Sequence, residues 1–93
     1  MKVYELLETL KDIPLDTNFG YAFSLFESEY EVTIDYVWGS KKISKLKEII
    51  EKLSTYNKDY NVTIDIEDGY TYAVVIGVRY ENNTLTFIDA CYK

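Results

Sequence analysis

Two apolar, β-branched runs separated by a pair of asparagines constrain this chain's fold more than any other stretch. Residues 70–80 read Tyr-Thr-Tyr-Ala-Val-Val-Ile-Gly-Val-Arg-Tyr; after Glu-Asn-Asn, residues 84–92 read Thr-Leu-Thr-Phe-Ile-Asp-Ala-Cys-Tyr. Side chains branched at Cβ lose rotamer freedom in a helix, whereas they and aromatic rings pack well on a pleated surface, so both runs predict strands. Asn82 and Asn83 tolerate the positive φ angles that a tight hairpin turn requires. The stretch Tyr70–Tyr92 therefore predicts two long antiparallel strands, one of them central to a sheet.

The rest of the chain supplies what such a sheet needs. Val3, Leu6, Leu7 and Leu10 recur at helical spacing, predicting a helix over Lys2–Asp12 that Pro14 terminates. Thr17–Phe26 predicts a strand with Phe19, Tyr21, Phe23 and Leu25 on one face, and Glu27-Ser28-Glu29 a hairpin turn. Tyr30–Trp38 alternates with period two: Tyr30, Val32, Ile34, Tyr36 and Trp38 face one way, Glu31, Thr33, Asp35 and Val37 the other. After Gly39, Ser40 can cap a helix over Lys41–Thr55, striped by Ile43, Leu46, Ile49, Ile50 and Leu53. Its lysine-rich N-terminal end opposes the helix dipole, which is either a hint that something else uses those lysines or a small tolerated cost on an ordinary solvated face. Tyr60–Ile66 predicts another strand and Glu67-Asp68-Gly69 another hairpin turn. No internal repeat, linker or low-complexity segment is expected.

The order helix, strand, strand, helix, strand, strand, strand predicts one α+β domain over residues 1–93. The expected architecture is a two-layer sandwich, with a five-stranded, mainly antiparallel sheet and both helices on one face. The Phe19, Tyr30 and Val62 sets should point at the helices. The open face should carry Ala22, Ser24, Glu31, Thr33, Asp35, Thr63, Asp65, Thr71, Ala73, Val75 and Arg79.

Composition excludes more than it assigns. The chain has no histidine, which removes Ser-His and Cys-His nucleophiles and most zinc sites. Gly-rich phosphate loops are missing, and the acids lack calcium-loop spacing. Glu31 and Asp35 would lie roughly 13 Å apart on one strand, wider than a glycosidase pair. No enzyme activity, metal or cofactor is expected. The single cysteine, Cys91, cannot form an internal disulfide; it suits a reducing cytoplasm and reads as a buried structural thiol. No apolar run is long enough to span a membrane.

Sixteen acidic against ten basic residues give a formal charge of −6, which repels nucleic acid and anionic membranes and steers the chain toward a basic protein. Glu27, Glu29, Glu31 and Asp35 occupy alternate positions, so an extended backbone would space neighbouring carboxylates by about 7 Å on one side. Such a row approaches the charge density of a phosphate backbone. Asp65, Glu67 and Asp68 could extend it, with Tyr30 or Tyr70 as a packed anchor. The competing reading is that these acids only keep an exposed sheet soluble and block edge pairing. The ten tyrosines suggest a second function, self-association as a monomer–homodimer system through the open face or a last strand at the sheet edge. A third, a small enzyme or small-molecule binder, would need a pocket lined by Trp38 and tyrosines.

The opening Val3-Tyr4-Glu5-Leu6-Leu7-Glu8-Thr9-Leu10-Lys11-Asp12-Ile13-Pro14-Leu15-Asp16 looks like the start of many small phage-encoded proteins, where a short helix ends at Pro-x-Asp before the first strand. In general character the chain resembles phage anti-CRISPR proteins: short, acidic, cytoplasmic and without an enzyme motif. That resemblance implies an inhibitor of a CRISPR effector, bound where DNA or guide RNA sits, and brings no functional residue with it. Nuclease immunity proteins of the barstar kind are a second similar class, implying a basic nuclease as partner.

Overall fold

In the computed structural model, which describes residues 1–65 and 72–90, the predicted α+β class is what the chain forms. The expected turn at Glu67-Asp68-Gly69, the anchor Tyr70 and the thiol of Cys91 lie outside the described residues. The elements run α1 (Val3–Leu10), β1 (Asn18–Ser28), β2 (Glu31–Asp35), β3 (Ile43–Lys45), α2 (Leu46–Leu53), β4 (Asn61–Asp65), β5 (Tyr72–Glu81) and β6 (Thr84–Asp89). Each helix is held at its start by a glutamate that reaches back to free amides. Glu5 accepts from the Lys2 N–H at 2.8 Å, and Glu48 from the Ser44 and Lys45 N–H groups at 3.1 and 3.0 Å. Val3, Leu6 and Leu10 of α1 meet Leu46, Ile49 and Leu53 of α2 in one fully buried core with Phe23, Val32, Ile34, Val62, Val75 and Leu85.

The sheet differs from the expected one in count and direction. Six strands are present among the described residues, in the order β2-β4-β5-β6-β1-β3, with a further β1–β2 pairing that closes five of them into a ring. β2–β4 and β1–β6 are parallel; the other pairings are antiparallel. The long strands β1 and β5 each serve both halves of the ring. β1 pairs with β6 and β3 near Asn18 and with β2 from Ser24 onward, while β5 passes from β4 to β6 across an irregularity between Val75 and Gly77. A bulge of this kind shifts the alternation by one residue. Ala73 and Val75, expected on the open face, are therefore core residues at 2% and 0% exposure. β6 lies between β5 and β1, so the last strand is not an edge, and β3 alone has a single neighbour among the described residues.

The extra strand comes from the segment expected to start the second helix. Ile43 pairs with Phe23 and Lys45 with Asn18, which holds residues 43–45 extended and delays α2 to Leu46. Lys41 and Lys42 thus fall outside the helix. Its first turn carries Glu48 and its last Lys52, an arrangement the dipole favours, and the expected clash is largely absent.

An internal repeat, unexpected from the sequence reading, sits at the centre of the sheet. Tyr-Glu-Val-Thr-Ile-Asp (30–35) and Tyr-Asn-Val-Thr-Ile-Asp (60–65) differ at one position, and they pair in parallel, in register: Glu31 with Asn61, Val32 with Val62, Thr33 with Thr63, Ile34 with Ile64. Identical side chains stack across the strands, with Thr33 and Thr63 hydroxyls 2.9 Å apart and the Tyr30 and Tyr60 rings edge-on at 6.2 Å. Six residues are far shorter than the unit of a repeat fold. Only the pairing makes the match meaningful.

The two hairpins whose turns lie within the described residues, β1–β2 and β5–β6, each turn on two residues. Asn82 and Asn83 have φ of 52° and 60°, as their sequence predicts. The first hairpin turns at Glu29-Tyr30 instead of Glu27–Glu29, and Tyr30 is held at φ 67°. A left-handed backbone costs a bulky residue roughly 1–2 kcal/mol. Tyr30→Gly is expected to raise stability by about 0.5–1 kcal/mol, after the loss of the Tyr60 ring contact. The urea midpoint measures it, and a lower midpoint would show that the ring contact outweighs the strain.

Two tyrosines also make stability fall at alkaline pH. Burial, then the Asp89 carboxylate, raises the Tyr36 hydroxyl above the usual tyrosine value of 10.0. Burial and Glu27 do the same to Tyr56. The folded chain therefore holds these protons more tightly than the unfolded chain. The contribution is intact below about pH 10 and is lost as pH rises through the folded values. Urea midpoints should decline from about pH 10 upward, and less steeply in Tyr36→Phe; an equal slope in that variant would assign the decline to other groups.

Candidate functional site

The face of the sheet turned away from the helices is a partly enclosed cavity, not an open plane. β1 and β2 place Phe26 beside Thr33 and Ser24 beside Asp35; β4 and β5 place Thr63 beside Val74 and Asp65 beside Tyr72. With β2 and β4 in parallel register, these rows run across four strands. One is Phe26, Thr33, Thr63, Val74; the next is Ser24, Asp35, Asp65, Tyr72. Asp35 and Asp65 are the next positions along the β2–β4 register, so they are neighbours on strands about 4.8 Å apart.

A loop folds over this floor because β2 stops early. It was expected to run to Trp38, with Tyr36 and Trp38 in the core; instead it ends at Asp35. Asp35 causes the stop: its Oδ1 accepts from the Val37 and Trp38 amides at 2.8 and 2.9 Å, turning the chain out of the sheet. Lys42 Nζ then donates to the Tyr36 and Trp38 carbonyls, and Ser24 Oγ to the Lys41 carbonyl. Gly39 makes the crossing possible. Its φ is 106°, and a Cβ there would stand 2.2 Å from Ser24 Oγ. The result is a Trp38 side chain that is 59% exposed at the cavity rim.

The cavity, of about 470 Å³, is lined by Phe26, Ser28, Glu31, Thr33, Asp35, Trp38, Asp65 and Tyr72. Three carboxylates and three aromatic rings thus share one concavity, and no lysine or arginine is among the described residues lining it. Its floor is buried: Thr33 is 9%, Asp35 7% and Thr63 3% exposed, though all three were expected on a wet face. The loop and the flanking rings cover them.

Of the residues singled out in the sequence, the fold gathers Glu31, Asp35 and Asp65. It does not gather the alternating row that an extended chain would have made. The turn at Glu29-Tyr30 reverses the chain, leaving Glu27 opposite Val32, on the helix side and near Tyr56. Glu29 and Tyr30 sit exposed at the hairpin tip, with the Tyr30 ring against Tyr60 rather than in the cavity. Glu67, Asp68 and Tyr70 lie outside the described residues. Phe26, Ser28, Thr33 and Tyr72 were missed as site residues. The one available signal was the repeated Val-Thr-Ile-Asp, which aligns Asp35 with Asp65.

A second cavity, of about 550 Å³, lies between β1, the 39–43 loop and α2, and its lining includes Lys41, Lys42 and Lys52 as well as Glu48 and Glu51. Its mixed charges favour neither an anion nor a cation. No helix among the described residues is long and apolar enough to cross a membrane. Taken together, fold and site define an α+β domain with an acidic, aromatic-walled groove on its sheet. Comparison with known proteins finds no matching family, no matching curated protein and no matching solved structure.

Proposed function

We propose that this chain is a non-enzymatic inhibitor that docks its acidic groove on a basic, nucleic-acid-handling protein, a CRISPR effector or a nuclease, and occludes the surface that nucleic acid would occupy. The observation that carries this reading is the convergence of Glu31, Asp35 and Asp65 in one concavity without a basic lining residue among those described. A formal charge of −6 makes long-range attraction to a basic partner follow. Glu31 and Asp35 stand about 13 Å apart along β2, with Asp65 about 5 Å to the side, a two-dimensional array of charge that phosphates also present. Trp38 and Tyr72 at the rim supply the aromatic anchors that give such interfaces their affinity. Acids that only solubilised the sheet would have no need to be sunk between aromatic walls.

Capture of basic nucleases and CRISPR effectors from lysate, at low and at high salt, tests the reading, with Glu31→Lys/Asp65→Lys beside the native chain. A salt-sensitive partner held by the native chain alone, and displaced by DNA, is the expected result. A partner held equally by both chains, or indifferent to salt, would leave the groove out of the interface.

A further inference from the structure

We infer that one edge of β1 over Ser24–Ser28 is a docking site for an extended segment of a partner protein, which adds to the sheet as a further strand in the cavity between β1, the 39–43 loop and α2. This surface is distinct from the acidic groove and stands without it. β1 changes neighbours along its length. Its pairings with β6 and β3 fall within Asn18–Phe23, whereas Ser24–Ser28 pairs with β2 alone among the described residues. A strand has two edges, so this stretch presents one row of backbone N–H and C=O groups to no other strand. The cavity shows where that row faces. Ser24, Leu25 and Phe26 all line it, although successive side chains of a strand point to opposite faces. A cavity touched by three consecutive strand residues lies along the strand's edge.

Proteins blunt exposed edges with proline, lysine or bulges. β1 carries neither proline nor lysine, and its register with β2 is unbroken from Ser24 to Ser28. β3 is the contrast, since the Ser44 and Lys45 N–H groups are both taken by Glu48. The open row of β1 is complementary to another main chain. It is roughly 17 Å long, the length of an ordinary strand. The cavity beside it, of about 550 Å³, lies within the range of ordinary ligand pockets. A second copy of this chain does not fit, because α2 and the loop wall the edge in and two recessed edges cannot meet. A single extended segment can enter. The lysines and glutamates of the lining offset one another, while Leu25, Phe26 and Ile43 add apolar contact. Recognition therefore lies in the main chain and tolerates many sequences.

Because the backbone supplies the recognition, a generic uncharged peptide is a sufficient probe, and it does not report on the acidic groove. Amide exchange of the free chain, read by NMR, is expected to show alternate amides of Ser24–Ser28 unprotected, since every second N–H of a strand points to the same edge. Titration with acetyl-Thr-Val-Thr-Val-Thr-amide should shift the Ser24–Ser28 amides saturably and protect the exchanging ones. The same peptide N-methylated at its three central residues should bind at least about tenfold more weakly, having lost the donors that meet the edge. Thr55→Phe, at an exposed position lining the cavity, should weaken binding at least about fivefold by filling the space. Protection of every amide from Ser24 to Ser28 in the free chain, no saturable shift up to the peptide's solubility limit, equal binding of the N-methylated peptide, or native affinity in Thr55→Phe would each overturn the docking edge. Shifts of the same amides with protein concentration alone would give the edge to a second copy and overturn the peptide form. Capture of a basic partner through the acidic groove, or its failure, leaves this result untouched, so the two readings fail separately.

Discussion

Phe23→Ala is expected to destabilise the fold by about 3–5 kcal/mol, a large part of the 5–15 kcal/mol that holds a domain of this size together. Phe23 is fully buried and joins three aromatic neighbours edge-on: Phe19 at 4.9 Å, Phe87 at 5.4 Å and Tyr36 at 6.1 Å. It also stands where β1 passes from one half of the ring to the other, opposite Ile43 of β3. Truncation would lose the transfer energy of the ring and leave a cavity that β1, paired on both sides, cannot collapse to fill. Urea denaturation gives the number. Leu15→Ala, at a residue 55% exposed, serves as the comparison and should change stability by less than about 0.5 kcal/mol. A loss near 1 kcal/mol for Phe23→Ala would mean that the ring of strands relaxes around the gap.

Glu31→Lys/Asp65→Lys is expected to weaken binding to a basic partner at least about a hundredfold, some 2.8 kcal/mol, while leaving the fold intact. Both residues are half-buried, and neither belongs to the buried core. Reversal replaces attraction by repulsion at the centre of the proposed contact, where desolvation magnifies both. Glu27→Lys, on the helix side of the sheet, should alter the association rate and its salt dependence but not the affinity to that extent. Surface plasmon resonance on a captured partner separates the two effects. Equal losses from Glu27→Lys and from the groove variant would mean that net charge alone attracts the partner and that the groove has no special part.

The apolar periodicities of this chain carried its local structure. Val3, Leu6 and Leu10 repeat at helical spacing and are the buried side of α1; Leu46, Ile49 and Leu53 do the same for α2. Val32 and Ile34, and Val62 and Ile64, alternate and point into the core. Asn82-Asn83 carried its own turn geometry because few residues accept positive φ twice in succession. These are decisions made by neighbours in sequence, through side-chain shape and backbone preference. Composition likewise determined the sign of the chain's electrostatics without any reference to its fold.

Tertiary pairing decided what local rules could not. Ile43-Ser44-Lys45 has no strong preference, and β1 drew it into the sheet. Ile76 and Gly77 look like continuous strand, yet the passage of β5 from β4 to β6 shifts the alternation there and sends Ala73 and Val75 inward. Asp35 reads as a solvated strand residue until its carboxylate is seen capping the chain that follows it. The site shows the same division. The sequence determined that acids are abundant and that Val-Thr-Ile-Asp occurs twice, thirty residues apart. The parallel pairing of β2 with β4 set Asp35 against Asp65, and the glycine-permitted loop brought Trp38 over them. A cavity is a relation between segments distant along the chain, and its chemistry is fixed only when strand register is.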